Sequence, residues 1–141
     1  MPSINSYLNF NGNTEEAFNF YKSVFGGEFQ VLMRFKEVPP EHQASPAEAN
    51  KIMHVTLPIG KANVLMGSDV PEAFGKVITG TNVSISVSAE TKDEADRLFT
   101  GLSTKGKATM PMSDAFWGSY FGMLTDKYGI QWMVSFDKSR A

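Results

Sequence analysis

The sequence predicts an α+β fold made of two tandem βαβββ modules, and three observations point to it. Short stretches of alternating polar and apolar residues recur, with one helical-period stretch in each half. Glycine and proline punctuate the joints between these stretches. The order of elements over residues 4–67 repeats over 81–136.

In the first half, INSYLNFN (4–11) alternates with Leu8 and Phe10 in phase, which predicts a strand. Gly12-Asn13 breaks it, and Thr14 can cap a helix over TEEAFNFYKSVFGG. Glu15 and Glu16 lie in its first turn, where the helix dipole favours acid. Ala17, Phe18, Tyr21 and Phe25 share a face, and Gly26-Gly27 ends the helix. EFQVLMRFK (28–36) predicts a second strand, followed by a polar, mobile loop over VPPEHQASPAEAN. KIMHVTLP (51–58) and ANVLMG (62–67) read as strands joined at Gly60-Lys61, and 69–80 as a further loop.

The second half follows the same plan. TNVSISVS (81–88) alternates as a strand. AETKDEADRLFTGL is an amphipathic helix with Ala95, Leu98, Phe99 and Leu102 on one side. KATMPM (107–112) predicts a strand that stops at the proline, and SDAFWGS a loop. YFGMLTD (120–126) and IQWMVSF (130–136) form a final strand pair around Lys127-Tyr128-Gly129. The halves align: Asn5, Leu8, Phe10 and Thr14 fall on Asn82, Ile85, Val87 and Thr91, and Glu16, Ala17 and Tyr21 on Glu94, Ala95 and Phe99. This pattern predicts an internal duplication: a first module over 1–69, a linker over 70–80 and a second module over 81–141, in one compact domain.

Composition narrows the function. Hydrophobic residues make 42% and charged residues 20% of 141, which excludes wholesale disorder. The 13 basic and 15 acidic residues leave no positive excess to neutralise phosphates, so no nucleic-acid partner is expected. No apolar run is long enough to cross a membrane, and MPSINSY has no secretory pattern. The absence of cysteine removes disulfides and thiolate chemistry and agrees with a cytoplasmic location. No GxxxxGK[ST] or strand-to-helix GxGxxG is present, so a phosphate-cradling site is unsupported. No GxSxG occurs, and no carboxylate pair is placed for acid–base work.

Several phrases carry a family resemblance: YLNFNGNTEEAFNFYKSVFGGE (7–28), KIMHVTLPIG (51–60), LMGSD (65–69) and MPMSDAFWGSYFGMLTDKYGIQWMV (110–134). With the tandem βαβββ order, they resemble the vicinal oxygen chelate superfamily of glyoxalase I, bleomycin-resistance proteins and extradiol dioxygenases. Within it they are similar to the PhnB-like branch, often labelled 3-demethylubiquinone 3-methyltransferase-like. The resemblance implies a glyoxalase/bleomycin-resistance-like fold, a cupped mixed sheet around a cleft, usually in a homodimer. A conventional S-adenosylmethionine enzyme would need a parallel sheet with a glycine-rich first turn, so the methyltransferase label finds no support in the motifs.

Metal-dependent relatives hold their ion with His, Glu or Gln on the first and last strands of each module. Matching the strands puts Asn5 and Asn82 at the first-strand positions and places the last-strand positions near Leu65 and Met133. Asparagine is a weak neutral ligand, and Leu and Met offer nothing to a hard cation. Slipping the register brings in Ser6, Val83, Met66, Gly67, Trp132 or Val134, none of which repairs the set. No metal and no other cofactor is therefore expected.

There are two histidines. His42 reads as a solvated loop residue. On KIMHVTLP, Met53, Val55 and Leu57 form the more apolar face, which should lie under a helix. Ile52, His54 and Thr56 then face the cleft. His54 is either a satisfied polar residue of a half-exposed sheet or a cleft-facing hydrogen-bonding group or general base. The same parity sends Asn5, Tyr7, Asn9, Asn82, Ser84, Ser86, Gln131 and Met133 to the cleft, and Val83, Ile85 and Val87 under the second helix. Phe116 and Trp117 either plug the cleft mouth or a dimer seam, or form an aromatic wall for a flat ligand.

The expected ligand-binding set is thus Asn5, Tyr7, His54, Asn82, Ser84, Phe116, Trp117, Gln131 and Met133, with His54 as the sole catalytic candidate. This uncharged lining suits a small neutral polar or aromatic molecule. The alternatives are a superfamily enzyme using His54 as base or as ligand of a rearranged metal site, and a dimeric interaction protein with a vestigial cleft.

Overall fold

The computed structural model describes residues 2–39, 41 and 45–138. The chain divides into two compact units, Met1–Ile78 and Thr79–Ala141. The first contains β1 (Ser6–Phe10), α1 (Thr14–Phe25), β2 (Val31–Arg34), β3 (Ile52–Ile59) and β4 (Asn63–Asp69). The second contains β5 (Ile85–Ser88), α2 (Lys92–Ser103), β6 (Lys107–Asp114), β7 (Ser119–Thr125) and β8 (Gln131–Asp137). Each unit folds as a four-stranded mixed sheet, ordered β1-β4-β3-β2 and β5-β8-β7-β6. In both, the first strand runs parallel to the last and the remaining neighbours are antiparallel. Both units thus repeat one βαβββ topology, as the sequence predicts, and the fold is α+β.

Each helix covers one face of its own sheet. α1 packs on β3 and β4, and α2 on β6, β7 and β8. The helix faces are the stripes helical spacing dictates: Ala17, Phe18, Tyr21 and Val24 on α1, and Ala95, Leu98, Phe99 and Leu102 on α2. Val24 rather than Phe25 completes the first stripe. Beneath them lie Val55, Leu57 and Leu65 in one unit and Leu124, Trp132 and Val134 in the other. Burial of each such side chain contributes roughly 1.5–3 kcal/mol. Glycine permits close contact at both helix–sheet seams. A Cβ on Gly67 would lie 2.7 Å from Phe18 Cε1, and one on Gly122 2.9 Å from Phe99 Cε2.

Helix entry differs between the units. Thr91 caps α2, accepting from the Glu94 amide at 3.0 Å, while Glu94 accepts from the Glu90 amide. The expected Thr14 cap is not what α1 uses. Thr14 is already helical and buried, and its amide and hydroxyl both donate to Asp69 Oδ1 (3.0 and 2.7 Å). Asp69 Oδ2 also accepts from the Ile52 amide at 2.8 Å. One carboxylate from β4 thereby ties the helix start to the start of β3.

Three further expectations need correction. The register shifts between Met33 and Arg34, which places Ile52 rather than Met53 opposite Arg34. This bulge flips Ile52 into the core, 1% exposed, instead of beside His54. β5 begins only at Ile85, so Val83 is 72% exposed and not under α2. β6 does not stop at its proline. It runs to Asp114, because it is an edge strand and Pro111 sits within a register shift, where no ladder donor is missed. The segment expected as a linker is tied to the first unit: Asn11 exchanges two hydrogen bonds with the Val77 backbone, at 3.0 and 2.8 Å. Within the expected loop at 38–50, Pro46–Glu48 form a 3₁₀ turn, and Glu48 accepts from the Glu72 amide. His42 lies outside the described residues. Among the described residues no helix is long and apolar enough to cross a membrane.

Candidate functional site

With one face of each sheet under its helix, strand alternation assigns the other face. In the first unit the helix-free face carries Tyr7 and Asn9 from β1, Met66 and Ser68 from β4, His54 and Thr56 from β3, and Val31 and Met33 from β2. Tyr7, Met66, Thr56 and Val31 form one row across all four strands. None of these residues carries a carboxylate, ammonium or guanidinium group.

His54 is the centre of this face. Its Nδ1 lies 3.2 Å from the Tyr7 hydroxyl and its Nε2 2.8 Å from Thr56 Oγ1. The Tyr7 and His54 rings also touch, with centroids 5.6 Å apart. Thr56 follows His54 by two positions on the same strand, so the pleat stacks their side chains. β4 lies between β1 and β3, and the phenol spans it to reach the imidazole. Thr56 is nearly buried, whereas Tyr7 is 42% exposed. The chain Thr56–His54–Tyr7 therefore leads from the sheet interior to an exposed hydroxyl.

In the second unit the helix-free face carries Ser86 and Ser88 from β5, Met133 and Ser135 from β8, Phe121 and Met123 from β7, and Met110 from β6. Ser86, Met133, Met123 and Met110 form one row. Trp117 packs edge-on against Phe121 and Phe116, with centroids at 5.6 and 5.1 Å. Phe116 is 98% exposed. Gln131 Nε2 donates to the Val83 carbonyl at 2.7 Å, holding the exposed stretch that contains Asn82 and Ser84. Asn5 is exposed and precedes β1.

Of the expected binding residues, Tyr7 and His54 meet in the first unit, and Gln131 reaches the Val83 backbone between Asn82 and Ser84 in the second. The sequence placed Thr56 on the face of His54 without counting it in the binding set, and Met66 and Met123 were not singled out as binding residues. Their signal was the same two-residue alternation that placed their neighbours. The aligned halves also shift. Measured from equivalent hairpin ends, Ile59–Asn63 and Asp126–Ile130, the row Leu57–Leu65–Ser6 matches Leu124–Trp132–Ile85. The register thus sets Leu8 against Val87 rather than Ile85, and makes Ser86 the counterpart of Tyr7. A two-residue slip keeps every side chain on its face, so alternation alone does not detect it.

The donor set does not fit the metal that the wider superfamily implies. Leu65, expected near a ligand position, is buried on the helix side, and Met66 takes the helix-free place opposite Tyr7. Its counterpart row offers Ser86 and Met133. Thioethers and neutral hydroxyls are poor partners for a hard divalent ion. Among the described residues no three of His, Asp and Glu gather where they could hold one.

The comparisons with known proteins agree with this architecture. YjdN of Escherichia coli K12 is 28% identical over 148 residues, spanning 99% of this chain and 98% of that protein. The crystal structure of PA1353 from Pseudomonas aeruginosa is 36% identical with a TM-score of 0.86, covering 97% of this chain and 98% of that one. A putative 3-demethylubiquinone-9 3-methyltransferase, PhnB protein, from Bacillus cereus is 30% identical with a TM-score of 0.72, covering 96% and 99%. A glyoxalase/bleomycin resistance protein/dioxygenase family enzyme from Burkholderia phytofirmans, 16% identical with a TM-score of 0.60, shares the fold. Residues 2–135 match the family model described as 3-demethylubiquinone-9 3-methyltransferase. Together with the doubled βαβββ topology, these place the chain in that PhnB-like family.

Proposed function

We propose that this protein binds a small, neutral, hydrogen-bonding or aromatic molecule on the helix-free face of its first sheet, without a metal ion. The observation that carries the reading is the Thr56–His54–Tyr7 chain, which fixes an exposed hydroxyl on a surface of thioether and uncharged polar groups. Such a surface gives apolar contact through Met33 and Met66 and orientation through a few polar atoms. It has no fixed charge to neutralise a charged ligand, so desolvating one there would go uncompensated. The expected homodimer and cytoplasmic location belong to the same reading.

An enzyme using His54 as general base is the second reading, favoured by the imidazole lying within hydrogen-bond reach of a phenol. Both ring nitrogens are engaged by Tyr7 and Thr56, which favours a positioning role for the ring over abstraction of a substrate proton.

A thermal-shift screen of matched fragments tests the proposal. Phenol, benzyl alcohol and benzamide should raise the melting temperature, and benzoate and benzylamine should not. Tyr7→Phe should weaken the neutral binders about five- to tenfold, the loss of one net hydrogen bond. A screen in which only charged fragments stabilise the protein would overturn the reading.

A further inference from the structure

We propose that Tyr7 is a reversible hydrogen-bonding group, donor or acceptor as the ligand requires, with the tautomer of His54 as the element that reverses it. The inference rests on the binding reading above and adds the ligand class: neutral molecules whose polar group is a carbonyl, a hydroxyl or an N–H.

The argument comes from proton counting along the chain. Neutral imidazole carries one N–H and one acceptor nitrogen. Tyr7 faces Nδ1 and Thr56 faces Nε2. Tyr7 and Thr56 each have one hydroxyl proton and lone pairs, and each hydroxyl rotates to suit its neighbours. Two arrangements therefore satisfy both contacts. In the first, Nε2–H donates to Thr56 Oγ1 and the Tyr7 hydroxyl donates to Nδ1. The phenol oxygen then presents only lone pairs outward, and it accepts from a ligand N–H or O–H. In the second, the Thr56 hydroxyl donates to Nε2 and Nδ1–H donates to the Tyr7 oxygen. The Tyr7 proton then points outward and donates to a ligand carbonyl. Every group keeps one proton in both arrangements. Only the imidazole proton changes nitrogen, by exchange with solvent, and the net charge stays constant.

The surroundings allow both arrangements. A carboxylate at either end would lock the ring, because it accepts and never donates. The partners here are two hydroxyls, and among the described strand residues of this face there is no Asp or Glu. Asp69, the buried carboxylate of β4, is directed to Thr14 and Ile52. Tyr7 is exposed enough to meet a ligand, while Thr56 is shielded from water and held to its ring partner.

Nitrogen-15 spectra of histidine-labelled protein read the tautomer of His54 directly, because protonated and unprotonated ring nitrogens resonate far apart. Two probes pose opposite demands: indole, which donates and does not accept, and acetophenone, which accepts and does not donate. With indole bound, His54 should carry its proton on Nε2. With acetophenone bound, it should carry it on Nδ1, so the two ring resonances exchange places. In Tyr7→Phe, neither probe should move them. Amide shifts at Tyr7, Thr56 and Met66 report binding independently. Both probes bound with one unchanged tautomer, or one probe bound and the other rejected, would overturn the inference and leave the binding reading standing. No amide shift with either probe would overturn the binding reading, and this inference with it.

Discussion

A buried carboxylate satisfies at least three donors in each unit. Asp69 serves the Thr14 amide, the Thr14 hydroxyl and the Ile52 amide, and Asp126 serves the Tyr128 and Ile130 amides and Trp132 Nε1. Removing either leaves buried donors without partners at about 1–3 kcal/mol each, partly relieved by water. Asp69→Ala and Asp126→Ala should each lower stability by about 2–4 kcal/mol in denaturant titrations. His54→Ala should behave differently. Of its two partners, the exposed Tyr7 can turn to water and only the shielded Thr56 hydroxyl is left without one, so stability should fall by about 1–2 kcal/mol while neutral-ligand affinity drops. A large stability loss with unchanged affinity would assign His54 to the fold alone. Asp126 was readable from sequence as a turn residue accepting backbone donors, because it precedes a tight turn closed by Gly129. Asp69 was not: its donors come from residues 55 and 17 positions away, and no local pattern records them.

At the scale of elements, the two glycines under the helices make a direct test. Gly67→Ala would press a methyl into Phe18 and the Leu8 carbonyl, with contacts of 2.7 and 2.8 Å. Overpacking of this kind should cost about 1–3 kcal/mol and show in the melting temperature. The joint between α1 and β2 is electrostatic. Arg34 clasps Glu15 through two hydrogen bonds, 2.9 and 2.6 Å. That hydrogen bond, with the attraction of the guanidinium, holds the Glu15 carboxyl below its ordinary value of 4.5. A lowered folded-state value means the stabilisation is complete above 4.5 and is lost as pH falls through the folded value. The melting-temperature gap between the wild type and Glu15→Gln should therefore be present at pH 7 and close in the acid range. The pair is part-exposed, so the gap should be small and shrink with salt. Helices were more legible than strand ends in the sequence. The stripe on α2 was read residue for residue, since helical period and burial coincide there. The Met33/Arg34 shift and the continuation of β6 past Pro111 depend on what the partner strand does, which the strand's own residues do not encode.

For the whole molecule, the doubled topology was legible because each half carries its own complete strand–helix pattern. The candidate site was only half legible. Parity found Tyr7 and His54 separately, but their meeting depends on β4 inserting between β1 and β3. The metal expectation is tested by elemental analysis of untagged protein after incubation with manganese, nickel, zinc and iron. We expect no stoichiometric metal and no rise in melting temperature. A bound ion with a raised melting point would mean that a donor set other than these rows is assembled.

Recognition of neutral ligands through Tyr7 on the helix-free face of the first sheet can be read from the amide shifts of nitrogen-15-labelled protein titrated with phenol and with benzoate. Saturable shifts with phenol at Tyr7, His54, Thr56, Met66 and Ser68, absent with benzoate and diminished in Tyr7→Phe, are the predicted result. Shifts confined to other surfaces, or benzoate binding this face as tightly as phenol, would contradict it.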